Sequence, residues 1–320
     1  MMQHFLLSAR ARTLSVAKVV RMSDEEARGV FRKIRWSETD GEAVCPHCGC
    51  CACYEFKTRA IFKCKGCFKQ FSLTSGTLFA SRKLPIRDYL LAMAIFVNGA
   101  KGVSALQVSR DMGVQYKTAF VLSHKLREAM DRENILGPQL AGDVEIDGAY
   151  FGGHVKPENK KEDRKDRRLA ENQSGKRRCV VVMRERRGRA LPFVVKHEGD
   201  ATDMVHDIVA RGATVYADEA PSWDILHAHY ETKRINRSFS FKDEDACTNQ
   251  AESYFSRLRR AEIGQHHRVG VHLAAYAGEM AWRENERRKA NGTLFQLVAA
   301  SAAASRPSAQ WKGYWQGARA

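Results

Sequence analysis

Two sets of residues in this chain have types and spacing suited to chemistry: three acids and four cysteines. Asp147 lies in Val144-Glu145-Ile146-Asp147-Gly148-Ala149-Tyr150-Phe151-Gly152-Gly153, a run of β-forming residues closed by glycines that reads as a short strand. A carboxylate inside such a strand is costly to bury without a cation, a metal or a set of donors. Asp218 ends a second strand-like run, Ala213-Thr214-Val215-Tyr216-Ala217-Asp218. Glu252 lies in a stretch from Thr248 to Arg260 that reads as a helix, with Asn249, Glu252, Ser256 and Arg259 on one face. Three converging carboxylates without a histidine base argue for two divalent ions, and oxygen ligands suit magnesium or manganese. Such a pair activates an attacking oxygen and steadies a departing one, which is phosphodiester chemistry. Each acid also has a plainer reading: Asp147 as a turn cap, Asp218 as a helix N-cap before Pro221 and Ser222, Glu252 as a solvated acid paired with Arg259. Asp224 is a rival second acid, set inside the helix expected next. There is no Ser-His-Asp set and no glycine-rich phosphate loop with lysine, which counts against a covalent hydrolase or a nucleotide-driven motor.

The cysteines form two C-x-x-C knuckles, Cys45-Pro46-His47-Cys48 and Cys64-Lys65-Gly66-Cys67, with fifteen residues between them. That is four-cysteine zinc spacing, and it predicts one structural ion with no open coordination position. Cys50, Cys51 and Cys53 are spare thiols, one of which could replace Cys48 in a shifted site. A redox role for the pairs is the plainer alternative. Two pairs at ribbon spacing oppose it.

The elements that must position these groups follow in order. Residues 1–40 form an N-terminal helical segment, opened by the capping box Ser23-Asp24-Glu25-Glu26 and continuing to about Trp36. Its Arg28, Arg32, Lys33 and Arg35 either touch phosphate or make a solvated face. Residues 41–80 form the zinc ribbon. Residues 81–140 hold a helix from Pro85 to about Asn98, a short helix from Ser104 to Met112, a turn at Gly113-Val114-Gln115, and a helix from Tyr116 to Met130. This is a helix-turn-helix pattern, with Gln115, Tyr116, Lys117 and Thr118 leading into a DNA groove; an ordinary three-helix bundle is the alternative. Residues 141–290 read as strand, charged loop from Pro157 to Lys176, two further strands (Arg178–Arg184 and Ala190–Lys196), helix, and the Asp218 strand. That order belongs to the ribonuclease-H-like sheet, which puts its first strand beside its fourth, so Asp147 and Asp218 would be neighbours. Val271 to Arg288 reads as a long helix with Arg283, Arg287 and Arg288 turned to phosphate, and 291–320 as a C-terminal tail. The fold class is thus α/β, more fully α+β multidomain: zinc ribbon and helix-turn-helix, then a mixed sheet with flanking helices.

Totals agree. Across 320 residues, 53 Lys and Arg against 37 Asp and Glu give a net charge of +16, which calls for a polyanionic partner, nucleic acid ahead of an acidic membrane surface. No run of 18 apolar residues exists to span a membrane. Met1 to Val20 lacks a secretory pattern, and the cysteines suit a reducing compartment, so the expected location is the cytoplasm.

The chain resembles DDE transposases of bacterial insertion sequences, in the zinc-ribbon-bearing ISXO-like subgroup. The resemblance is carried by Val144 to Gly153, by Ala217-Asp218-Glu219 and by Asn249-Gln250-Ala251-Glu252-Ser253-Tyr254-Phe255 with Arg257 and Arg259. The four zinc cysteines and Phe71-Ser72-Leu73-Thr74-Ser75-Gly76-Thr77 also match. It spans roughly residues 25 to 290. It implies Asp147, Asp218 and Glu252 as ligands of two Mg2+ or Mn2+ ions, with Asn249 assisting. Arg259 stands where the family often has Lys, which keeps the charge but not the point geometry. His267 and Arg268, in Gly264-Gln265-His266-His267-Arg268, match a segment that approaches DNA. The implied activity is binding of the terminal inverted repeats of an insertion sequence, strand cleavage, and transfer of the freed 3′-hydroxyl to target DNA. The implied assembly is a homodimer or higher oligomer on DNA, in a nucleoid-associated setting. The competing readings are a catalytically inert DNA-binding regulator of transposase descent and a metal-dependent nuclease that cuts without joining.

Overall fold

The computed structural model describes residues 5–56, 58–153, 158–166, 172, 175–235, 248–266 and 269–314. The chain divides into two units, Met1–Glu133 with Glu286–Ala320, and Asn134–Asn285.

In the first unit a single-turn helix α1 (Val16–Val20) precedes α2 (Asp24–Arg35). The capping box forms as the sequence predicts: the Glu26 amide donates to Ser23 Oγ and the Ser23 amide to Glu26 Oε2, at 3.2 and 2.8 Å. The ribbon is an antiparallel sheet of β1 (Cys53–Glu55), β2 (Ile61–Cys64) and β3 (Gln70–Ser72). Phe62 and Phe71 stack across it at 5.4 Å, and Trp36 meets Phe62 edge-on at the same distance. The basic side chains of α2 are largely engaged here: Arg28 and Arg32 pair with Glu55 at 2.6 and 2.9 Å, and Arg35 donates to the carbonyls of Ser72 and Ser75. They tie α2 to the ribbon.

Helices α3 (Ile86–Asn98), α4 (Ala105–Met112) and α5 (Tyr116–Ile135) follow. Ser104 caps α4, and Gly113 ends it at φ 63°, a left-handed conformation that glycine adopts without strain. The stretch expected as a tail instead contains α9 (Asn291–Ala304), which belongs to the first unit and buries Phe295, Val298 and Ala302. Ser301 Oγ donates to the Ala129 carbonyl at 2.9 Å, and the buried Trp311 stacks on His124 at 4.2 Å. Its apolar content is high enough on all sides that burial, not solvation, is its stable state.

The second unit is a five-stranded mixed sheet: β4 (Asp143–Phe151), β5 (Arg178–Glu185), β6 (Ala190–Val195), β7 (Thr214–Asp218) and β8 (Glu231–Ile235), in the order β6-β5-β4-β7-β8. The first three are antiparallel; β7 and β8 run parallel to β4. This is the ribonuclease-H-like order, with first strand beside fourth. One face packs on α6 (Thr202–Ile208) with Trp223 and Leu226. The other packs on α7 (Asn249–Ala261) and α8 (Leu273–Asn285). Helix α8 is shorter than the sequence suggests, and Arg283 on it pairs with the buried Glu279 at 2.8 Å, so its charge is used internally. No helix among the described residues is long and apolar enough to cross a membrane.

Candidate active site and metal centre

The thiols of Cys45, Cys48, Cys64 and Cys67 converge, with all four sulfurs within 4.8 Å of one another. Cys45 and Cys67 sulfurs lie 3.6 Å apart, as do those of Cys48 and Cys64. The Cys67 amide points at the Cys64 sulfur; this bond, with a second from Gly66, outweighs burial and brings the Cys64 thiol down to about 6. A set of four soft sulfur donors suits a tetrahedral ion. The spare thiols stand outside it. Cys53 donates to the Cys50 carbonyl at 3.5 Å, and burial, then the neighbouring Cys64, raises it to about 11.

The acids are arranged by strand register and alternation. Strands β4 and β7 pair from Asp143↔Thr214 to Ile146↔Ala217, and the next positions along are Asp147 and Asp218. Val144, Ile146, Val215 and Ala217 enter one core, whereas Ala149 and Phe151 enter the other with Ala251, Tyr254, Phe255 and Leu258 of α7. Alternation therefore puts Glu145, Asp147, Tyr216 and Asp218 on the α7 side of the sheet. Asp147 is 3% exposed, and its Oδ1 accepts from the Gly148 amide at 2.9 Å. Asp218 is half-buried and accepts from the Ala220 amide at 3.1 Å. Glu252, half-buried, sits in the first turn of α7, which lies on β4 and β5.

Among the described residues, the cysteines are the group of three or more metal-binding side chains that meets as one compact set. The three acids do not meet as such a set: Asp147 and Asp218 lie on the α7 side of the sheet, and Glu252 lies in the first turn of α7. Their all-oxygen chemistry fits hard divalent cations. The rival Asp224 is an exposed residue of the 3-10 segment Pro221–Ala228, where an α-helix is expected; it pairs with Arg234 at 3.0 Å.

The other expected site residues are dispersed. Asn249 is exposed at the start of α7, and Arg259, seven residues after Glu252, lays its guanidinium over the Phe151 ring at 5.7 Å. In the first unit Gln115, Tyr116 and Lys117 are exposed and Thr118 is half-buried at the start of α5. His267 and Arg268 lie outside the described residues, as do parts of the charged loop beginning at Pro157. The neighbouring His266 stacks on Tyr276 at 4.1 Å.

Sequence reasoning passes over one set of groups. Glu145 is fully buried; its Oε2 accepts from the Gln250 and Ala251 amides of α7 at 2.9 and 3.1 Å, and its Oε1 from Arg186 at 3.2 Å. Arg184, opposite Glu145 on β5, donates to the Gln250 carbonyl at 3.2 Å and to Glu284 at 2.9 Å. The available signal was period-two spacing: Glu145 stands two before Asp147 and so shares its face.

Comparison with known proteins agrees with this architecture. Residues 139–285 match the family described as an ISXO2-like transposase domain, and residues 22–70 match a transposase zinc-ribbon domain. An uncharacterized protein in transposable element ISH50 of Halobacterium salinarum is 23% identical over 252 residues, which cover 75% of this chain and 83% of that one. No solved structure matches the chain.

Proposed function

We propose that this chain is a transposase of the ISXO2-like type with an N-terminal zinc ribbon, which binds the terminal inverted repeats of its element, cuts a strand at each end and joins the freed 3′-hydroxyl to target DNA. The reading rests most on one observation: Asp147 and Asp218 each follow directly on the last register pair of two neighbouring parallel strands, on the sheet face against which α7, the helix of Glu252, is packed. In this reading Asp147, Asp218 and Glu252 hold two magnesium or manganese ions. When bound, these ions supply charge stabilisation and lower the pKa of a bound oxygen nucleophile. The protein's own residues fix the geometry. The buried strand β4 holds Asp147, the end of β7 holds Asp218, and α7 holds Glu252.

Asn249 and Arg259, from the first and third turns of α7, approach the DNA strand end. The cysteine set holds one zinc ion and supports the ribbon. Gln115, Tyr116, Lys117 and Thr118 enter a groove, where base edges are read. His267 and Arg268 add phosphate contacts. Two ends held together call for at least a homodimer, working at the nucleoid.

The test is strand transfer from precut terminal repeats in magnesium. Asp147→Asn is expected to abolish joining while leaving end binding intact. Equal joining by variant and parent would end the catalytic assignment. Cutting without joining by the parent would indicate a nuclease.

A further inference from the structure

Glu145 and Arg184 face each other across β4 and β5 and hold the same turn of α7 from both of its polar sides. Glu145 takes the amides of Gln250 and Ala251; Arg184 takes the carbonyl of Gln250. A helix begins with amides that lack partners, and a carboxylate placed there satisfies them and meets the positive end of the helix dipole. Here that carboxylate comes from the strand that carries Asp147, two residues away.

The clamp is braced on both flanks. Arg186 binds Glu145 and lies over the Tyr216 ring at 3.7 Å, while the Tyr216 hydroxyl donates to Asp143 at 3.1 Å. Arg184 pairs with the buried Glu284 of α8, which also pairs with Arg257 of α7. Apolar packing by Ala251, Tyr254, Phe255 and Leu258 holds α7 on the sheet, but such packing is non-directional and leaves the first turn freedom to slide. Directional bonds to a single turn remove that freedom.

We infer that Glu145, seconded by Arg184, is a positioning residue that sets Glu252 against Asp147 and thereby tunes the affinity of the acid site for its divalent ions. This rests on the reading of Asp147, Asp218 and Glu252 as ligands. Groups that orient metal ligands typically change metal affinity by about 10- to 100-fold when removed.

The experiment is calorimetric titration of Mn2+ into the full-length, zinc-loaded protein, without DNA. Variants are Glu145→Ala, Glu145→Gln, Glu252→Gln, the double variant Glu145→Ala with Glu252→Gln, and Asp147→Asn. Glu145→Ala is expected to weaken Mn2+ binding by about 10- to 100-fold. Glu145→Gln keeps an oxygen for the α7 amides and is expected to lose less. The double variant should bind no more weakly than Glu252→Gln alone, because Glu145 acts through Glu252. Should Glu145→Ala fail to fold by circular dichroism, Glu145→Gln carries the test through its own loss and its non-additivity with Glu252→Gln. Parent-like Mn2+ affinity in the folded Glu145 variants, with Asp147→Asn impaired, overturns the positioning role and leaves the triad standing. Parent-like affinity in Asp147→Asn and Glu252→Gln overturns the triad itself.

Discussion

Cys64 concentrates the ribbon's metal chemistry in one side chain. Two amides aim at its sulfur and favour the thiolate, the form that binds metal. Replacing it with serine keeps the size and removes the soft ligand. The expected outcome for Cys64→Ser is loss of the single bound zinc by elemental analysis, with protease cleavage opening between residues 41 and 80. Replacing Cys51, which is exposed and outside the set, should leave zinc content unchanged. Equal zinc in the Cys64 variant and the parent would remove Cys64 from the site. At this scale the convergence of the four cysteines was legible because knuckle spacing is a local property of the chain. Glu145 was not, since its partners at Gln250 and Ala251 are over a hundred residues away and only the folded sheet brings them near.

Among the elements, α2 shows how much a local signal can fix. Ser23 and Glu26 satisfy each other's amides, so Ser23→Ala should lower stability by about 1 kcal/mol in chemical denaturation. No change would mean that packing on the ribbon, not the cap, sets where α2 starts. Helix α5 carries a different expectation. Gln115→Ala should weaken binding to the terminal repeat by about 1–3 kcal/mol and relax preference at one base pair, as judged by a panel of altered ends. Loss spread evenly over all sequences would assign Gln115 to phosphate instead. Strands β4 to β7 were readable from β-forming runs, but β8 was not: Glu231-Thr232-Lys233-Arg234-Ile235 has the charged composition of an edge strand and no apolar alternation. Helix α9 was missed for the reverse reason. Its position near the chain end suggested a tail, whereas its buried Phe295 and Val298 give it a place in the first unit.

For the whole molecule, the excess of basic over acidic residues sets the electrostatics. A net charge of +16 predicts that binding to terminal-repeat DNA weakens steeply with salt, log K falling linearly with log salt as counterions return to the phosphates. Affinity measured by fluorescence anisotropy at several salt concentrations checks this, and a flat dependence would contradict a phosphate-led interface. The charge is partly internal, however. Arg28, Arg32, Arg184 and Arg283 are all engaged with carboxylates, so net charge overstates the number of cations available to DNA. The pairing of first and fourth strands was legible through the likeness of the element order to the ribonuclease-H-like sheet, since three antiparallel strands followed by a crossover have few ways to close into one sheet.

If Asp147, Asp218 and Glu252 jointly bind hard divalent ions, manganese reports it directly through its anomalous scattering. Crystals of the full-length protein grown with Mn2+ should show anomalous peaks bounded by these three carboxylates, and crystals of Asp147→Asn should lose them. Manganese found only at other side chains, or unchanged peaks in the variant, would rule out a shared ion site at these three acids.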